Sequence, residues 1–436
     1  MKRQWFKLPL HQLLHALHTG EASLPEIVAS FYERIAIRDD RIGAWQYLID
    51  QDDYLAEYES RSDFYKASPL MGLPFAVKDV IDTAGIPTTM GSAIHQDRIP
   101  DMDASCVTAM KAAGGILMGK TVTTEFAYFQ AGKTNNPHDA ERTPGGSSSG
   151  SAAAVADFMV PVAFGTQTAA SVIRSASYCG CIGYVGSKNE FSLRNIQPLA
   201  HSLDSLGILS NDVLDTLLLR NILLHKPLNL STPGAQAACV FGVFSGQALG
   251  DVQDKMLETL QACQQDLSEQ GHTLVDFPLQ DAVVELTALH AQIMAYEVAR
   301  NLVYEQQQHE TLSAHMQSLM STGLSFPYKE YIAALQGADT LKQAMLQWFE
   351  DSGVDFILAP AAAGVAPYKT EGTGAPFMSR AWQLLGLPVV SLPLGYFQKL
   401  PMGLQLIGKP HQDDVLLLQA RQLQQRFLNS SSVLTA

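Results

Sequence analysis

Positive charge is scarce in this chain: 29 Lys and Arg stand against 43 Asp and Glu in 436 residues, a formal net charge of −14. No basic run occurs anywhere, which argues against a nucleic-acid binder, because phosphate contact needs clustered Lys and Arg. Long apolar runs are missing as well. The most apolar segment, Ala152 to Phe164, is interrupted by Asp157 and Pro161 and falls short of the roughly 18 apolar residues of a membrane span. The start, Met1-Lys-Arg-Gln-Trp-Phe-Lys-Leu-Pro, has charge but no apolar segment behind it, so no secretory signal is read and no membrane partner is expected. Cysteine is sparse and odd in number: Cys106, Cys179, Cys181, Cys239 and Cys263. That count predicts reduced thiols and a cytoplasmic protein. The Cys179-x-Cys181 spacing is neither a redox CxxC nor a zinc knuckle, so both read as small core residues.

What is present is apolar bulk. Hydrophobic residues make up 47% and charged residues 17%, the balance of a folded chain with a large core rather than a disordered one. Leu10, Leu13, Leu14 and Leu17 share one helical face, with Gly20 placed to end the helix. His11, His15 and His18 lie opposite and read as a solvated face without carboxylate partners, not a metal site. Ser23-Leu-Pro-Glu26 is a capping box with Pro in the first turn, leading into a stripe of Ile27, Val28, Phe31 and Ile35. From Pro74 onward short apolar strands alternate with helices, the α/β signature. Length alone suggests about three domains, but the pattern predicts one, 1–436. Within it lie N-terminal helices (1–65), a core (66–210), a helical insert (249–350) and a return to the core (351–436).

Two segments carry possible chemistry. Thr143-Pro-Gly-Gly-Ser147-Ser148-Ser149-Gly150-Ser151 feeds an Ala-rich helix. Backbone N–H groups of such a loop can cradle a phosphate, but a P-loop needs Lys after its last Gly and Ser151 stands there. Gly165-Thr-Gln-Thr-Ala-Ala-Ser171-Val-Ile-Arg174 follows a strand-like run. A serine at such a turn can be an exposed nucleophile flanked by backbone N–H groups. It is not a G-x-S-x-G elbow, and neither His138 nor His201 sits in a triad context. Lys78, alone in the apolar run Leu73 to Ile81, is the better base, since burial lowers a lysine pKa and a neutral amine accepts a proton. The alternative is a buried ion pair with Asp79 or Glu125, and spacing leaves both open.

Taken together, Gly72-Leu-Pro-Phe-Ala-Val-Lys78-Asp, Gly145-Gly-Ser-Ser-Ser-Gly-Ser-Ala-Ala-Ala and Gly165-Thr-Gln-Thr-x-x-Ser171-Val-Ile-Arg174 resemble the amidase signature family. The likeness runs along nearly the whole chain, through Gly119-Lys-Thr, Glu125-Phe-Ala, Asn136-Pro137, Ser202 to Gly207, Leu384 to Pro388 and Leu400 to Gly408. Ser-Val-Ile-Arg after Gln167 is most similar to small malonamidase-type amidases. The resemblance implies an α/β/α sandwich around a large twisted mixed β-sheet of about ten strands. It also implies amidohydrolase chemistry on a linear carboxamide, with no metal and no cofactor. By position, Ser171 matches the nucleophile, Ser147 the serine of a cis peptide and Lys78 the base. The N–H groups of Thr168, Ala169, Ala170 and Ser171 match the oxyanion hole. Arg174, Ser148, Ser149, Met90, Gly91 and Tyr128 are candidate substrate contacts. For Arg174 the competing role is structural, and for Ser148 and Ser149 it is helix capping. Met294, Tyr296, Tyr328 and Trp382 serve as generic apolar lining or, more simply, as core.

Three departures stand out. The family's Gly-Gly before the nucleophile is Ala169-Ala170 here, Arg-x-Pro becomes Arg174-Ser175, and Lys-Pro-Thr becomes Val185-Gly186-Ser187. At a position needing positive φ an Ala costs about 1–2 kcal/mol. The expected partner is a small-molecule amide, with a homodimer left open. The alternatives to a free-standing amidase are an amidotransferase A-type subunit working with partner chains and an inactive homologue serving as a binding protein.

Overall fold

The computed structural model describes residues 3–228 and 238–429. Eleven strands form one mixed sheet: β1 (Trp45–Leu48), β2 (Pro74–Lys78), β3 (Ile116–Thr121), β4 (Val162–Gln167), β5 (Ile182–Val185), β6 (Ser205–Ser210), β7 (Val240–Val243), β8 (Thr273–Asp276), β9 (Phe356–Pro360), β10 (Val389–Phe397) and β11 (Leu400–Gly408). Their order across the sheet is β1-β3-β2-β4-β6-β5-β10-β11-β9-β7-β8. β2 runs parallel to both β3 and β4, and β7 parallel to β8 and β9; the remaining neighbours are antiparallel. Every residue of β2, β3, β4, β9 and β11 is buried, so helices cover both faces, which explains near-continuous apolar strands instead of alternation.

Local signals act as physics requires. The helix Leu10–Thr19 ends at Gly20 with φ 71°, and Ser23 and Glu26 form the expected capping box on Leu24–Ile42. The helix Ser149–Ala156 is built of Ser, Gly, Ala and Val and is buried almost throughout. Its small residues allow that: a Cβ on Gly150 would lie 2.4 Å from the Ala44 carbonyl oxygen and the Val122 nitrogen. All five cysteines are buried and form no disulfide among the described residues, as read from their number.

Several expectations change. The sheet itself, with eleven strands, meets the expectation of about ten. β1 lies inside the stretch read as helices, and β8 inside the stretch read as mostly helical. Each is four residues long and sits at a sheet edge, too short to impose a period on its surroundings. His11 does have a carboxylate partner: its Nδ1 lies 2.8 Å from Oδ1 of fully buried Asp215, which also accepts from the Leu10 and His11 N–H groups. His15 and His18 remain exposed. Among the described residues no group of three His, Cys, Asp or Glu could hold a metal, and no helix is long and apolar enough to cross a membrane.

Candidate active site

Parallel neighbours bring their C-terminal ends to one edge, and β2 and β4 are such neighbours. β2 ends on Lys78 and β4 on Gln167, so the lysine and the turn that carries Ser171 emerge together. The loop into the helix Ser149–Ala156 closes the third side. Its Gly146–Ser147 peptide is cis. Gly145 before it has φ 81°, and a Cβ there would stand 2.9 Å from Ser175 Cα, so backbone passes where no side chain fits.

Lys78 is fully buried. Its Nζ donates to Ser147 Oγ at 2.6 Å and to Thr166 Oγ1 at 2.8 Å. Burial pulls its pKa down to about 7, against a smaller upward pull from Asp204. The ion-pair alternative is overturned. Asp79 faces Lys120 at 3.4 Å and accepts from Thr89, while Glu125 accepts from the Ser313 N–H at 3.0 Å. A lysine removed from water without an acid beside it loses its preference for the charged form.

Ser147 and Ser171 line one cavity, with about 360 Å³ of non-atom space including its open mouth. Thr168, Ala169 and Ala170 share its wall. Among the described residues nothing accepts from the N–H groups of Thr168, Ala169, Ala170 and Ser171. Four consecutive backbone donors at the cavity wall are therefore left without an acceptor among the described residues. Neither Ala169 nor Ala170 has positive φ, so the departure from Gly-Gly carries none of the strain considered for it. The turn is braced from outside. Gln167 Oε1 accepts from Val172 N at 3.0 Å and Ile173 N at 3.1 Å, and Gln167 Nε2 donates to Gln383. The Thr168 hydroxyl donates to Asp204, whose pKa burial raises to about 6. The Thr168 carbonyl accepts from His290 Nε2 at 2.7 Å. Burial, helped by the Arg380 charge, lowers His290 to about 3, so the ring is neutral with its proton on Nε2.

The remaining candidates divide. Tyr128 and Arg174 reach the cavity. Arg174 also donates to the carbonyls of Gly374 and Gly146 and to Thr373 Oγ1, which gives it the structural role weighed against substrate binding. Met90 and Gly91 lie behind the cavity: the Met90 carbonyl accepts from the Phe126 N–H, and a Cβ on Gly91 would touch the Thr124 carbonyl. Ser148 and Ser149 neither cap the helix by side chain nor line the cavity. The Ser148 hydroxyl donates to the Thr166 carbonyl and accepts from its N–H, and Ser149 donates to the Val122 carbonyl. Of the generic apolar residues only Met294 reaches the cavity. Trp382 packs against Phe244 and Phe277, Tyr296 stacks on Tyr331, and Tyr328 is exposed. Thr166, Asp204, His290 and Arg380 were missed by sequence reasoning. Thr166 and Asp204 had a signal, standing inside the quoted Gly165 to Arg174 and Ser202 to Gly207 segments.

Comparison with known proteins places this arrangement. The family model described as Amidase matches residues 26–417. Among curated proteins the chain is similar to the A-type subunit of glutamyl-tRNA(Gln) amidotransferase from Natranaerobius thermophilus, 29% identical over 96% of this chain and 95% of that one. It is also similar to the corresponding amidotransferase subunit from Corynebacterium jeikeium, 30% identical over 93% of each. Among solved structures it resembles one described as crystal structure of amidase, with TM-score 0.87, 25% identity, and coverage of 96% of this chain and 100% of that chain. The native peptide amidase from Stenotrophomonas maltophilia shares the fold at TM-score 0.81 and 22% identity, over 97% of each chain. With that family's model matched across nearly its whole length, the chain belongs to the amidase family, enzymes that hydrolyse carbon–nitrogen bonds of amides.

Proposed function

We propose that the chain is an amidohydrolase that cleaves a linear carboxamide to carboxylate and ammonia through an acyl-enzyme on Ser171. The observation that carries this reading is the acid-free contact of buried Lys78 with Ser147 beside a cavity that also holds Ser171. Neutral Lys78 takes the Ser147 proton, and Ser147 takes that of Ser171 as its Oγ attacks the carbonyl carbon. The carbonyl oxygen gains negative charge against the N–H groups of Thr168 to Ser171; one such donor is worth about 3 kcal/mol of barrier. The C–N bond then breaks, the proton returns through Ser147 to the leaving nitrogen, and ammonia departs. A water repeats the relay, adds to the acyl carbon and releases the carboxylate with Ser171 restored. No step calls on a metal or an organic cofactor.

The test is an ammonia-release screen over short, aryl and dicarboxylic monoamides, with fluorophosphonate labelling of Ser171. Ser171→Ala, Ser147→Ala and Lys78→Ala should each lose activity by at least a factor of about a thousand, as removal of a member of a serine relay does elsewhere. Unchanged turnover in any of the three overturns the mechanism.

A second reading is favoured by the curated relatives, which are amidotransferase subunits matched over more than nine-tenths of this chain. In it the same acyl-enzyme passes ammonia to a partner's site. Stable co-purification with a second protein chain supports this reading, and vigorous ammonia release by the isolated chain counts against it.

A further inference from the structure

His290 stands fully buried in the helix Gln280–Asn301, one turn before Met294 of the cavity wall. Residues four apart share a helical face, so the insert turns both toward the site. His290 itself does not line the cavity. Its Nε2 donates instead to the Thr168 carbonyl at 2.7 Å, and among the described residues no other donor reaches that oxygen. Its Nδ1 has no partner at all. Leaving a buried polar nitrogen unmatched costs free energy, and the contact with Thr168 is what the side chain gives in return.

The Thr168 carbonyl and the Ala169 N–H belong to one peptide. That peptide is trans, since the only cis bond among the described residues is Gly146–Ser147. In a planar trans peptide the C=O and N–H point in opposite directions. Fixing the carbonyl toward His290 therefore aims the Ala169 N–H away from it. Thr168 and Ala169 both belong to the cavity wall, and that N–H has no acceptor among the described residues. We infer that His290 is a positioning residue for catalysis: it sets the direction of the Ala169 N–H, so that this donor meets the charge developing on the substrate's carbonyl oxygen. The Thr168 hydroxyl is held separately by Asp204, but the carbonyl bond is the one that governs the tilt of the peptide plane. Tilt matters because a hydrogen bond weakens steeply as its angle closes toward about 120°. A donor aimed in advance stabilises the transition state with no reorganisation when the charge appears. This rests on the amidohydrolase reading and adds to it a residue outside the serine relay.

The experiment compares three variants. In His290→Gln the amide nitrogen reaches as far as Nε2 and still donates; in His290→Asn it reaches only as far as Nδ1; His290→Met fills the space without a donor. Each is assayed for ammonia release from butyramide and titrated by calorimetry with propylboronic acid. The boron of that probe takes the Ser171 Oγ, whose proton passes to the relay, and becomes tetrahedral with an oxygen in the place of the oxyanion. His290→Met and His290→Asn should lose kcat by about 10- to 100-fold, somewhat less than deletion of an oxyanion donor, with KM within about twofold. Propylboronic acid should bind both at least about tenfold more weakly than it binds the unaltered protein, and His290→Gln should recover most of either loss. His290→Asn carries the comparison where His290→Met does not fold. Unchanged kcat in a donor-less variant that keeps its circular dichroism, a loss confined to KM, or His290→Gln as impaired as His290→Met overturns the assignment and leaves the amidohydrolase reading intact. An unaltered protein that releases ammonia from no amide sinks the amidohydrolase reading. The boronic acid then decides alone: weaker binding to the donor-less variants keeps the assignment, and equal or absent binding overturns it.

Discussion

The acid limb of the pH profile belongs to Lys78. Its pKa of about 7 means that half the molecules hold the amine neutral near that pH, and the neutral amine is the form that accepts a proton. For a neutral amide, kcat/KM should rise tenfold per pH unit below 7 and level off above about 8. A limb near the ordinary lysine value, or none, would remove Lys78 from the role of base. The serine and lysine positions were legible because each is a chemically odd residue in its setting: a lysine in an apolar strand, a serine after a run of small residues. Thr166, Asp204, His290 and Arg380 were not, since each acts through a neighbour that only the folded chain supplies. For three of them the partner lies 36 to 122 positions away, as Asp204 and His290 with Thr168 and Thr166 with Lys78 illustrate.

At the scale of elements, the turn after β4 depends on a side-chain cap that no capping motif announces. Gln167 reaches forward five and six residues to take the Val172 and Ile173 N–H groups, doing for the helix Ile173–Cys179 what Ser or Asp does at ordinary N-caps. Gln167→Ala should therefore lower stability by about 1–2 kcal/mol in urea unfolding and depress kcat more than it raises KM, because it loosens Ser171. A stability change within experimental scatter would show that Gln383 or water takes over the cap. Helices with strong stripes or caps, such as Leu10–Thr19 and Leu24–Ile42, were readable from their sequence. β1 and β8 were not, since four residues at a sheet edge answer to their neighbour's hydrogen bonds and not to a period of their own.

For the whole molecule, surface and cavity have opposite signs. The surface of a −14 chain repels an anion over distances that salt shortens to about 8 Å at 0.15 M, while the guanidinium groups of Arg174 and Arg380 in the cavity wall are screened much less. In the ammonia-release screen the KM for a dicarboxylic monoamide should fall severalfold between low salt and about 0.15 M, and the KM for a neutral short amide should stay level. A dicarboxylic-monoamide KM that climbs with salt would mean that the mouth of the cavity, and not the surface at large, governs approach.

β5 meets β10 through three residue pairs, Val185 with Val389, Tyr184 with Val390 and Gly183 with Ser391. On one side of that seam the sheet comes from residues 45–210, which contain Lys78, Ser147 and Ser171. On the other it comes from residues 240–408, which supply Arg380, Thr373 and Met294 to the cavity wall. Under the proposed mechanism, the residues that break the bond thus come from one stretch of the gene and part of the cavity wall from another. Substitutions in the second stretch can then reshape that wall without touching Lys78, Ser147 or Ser171.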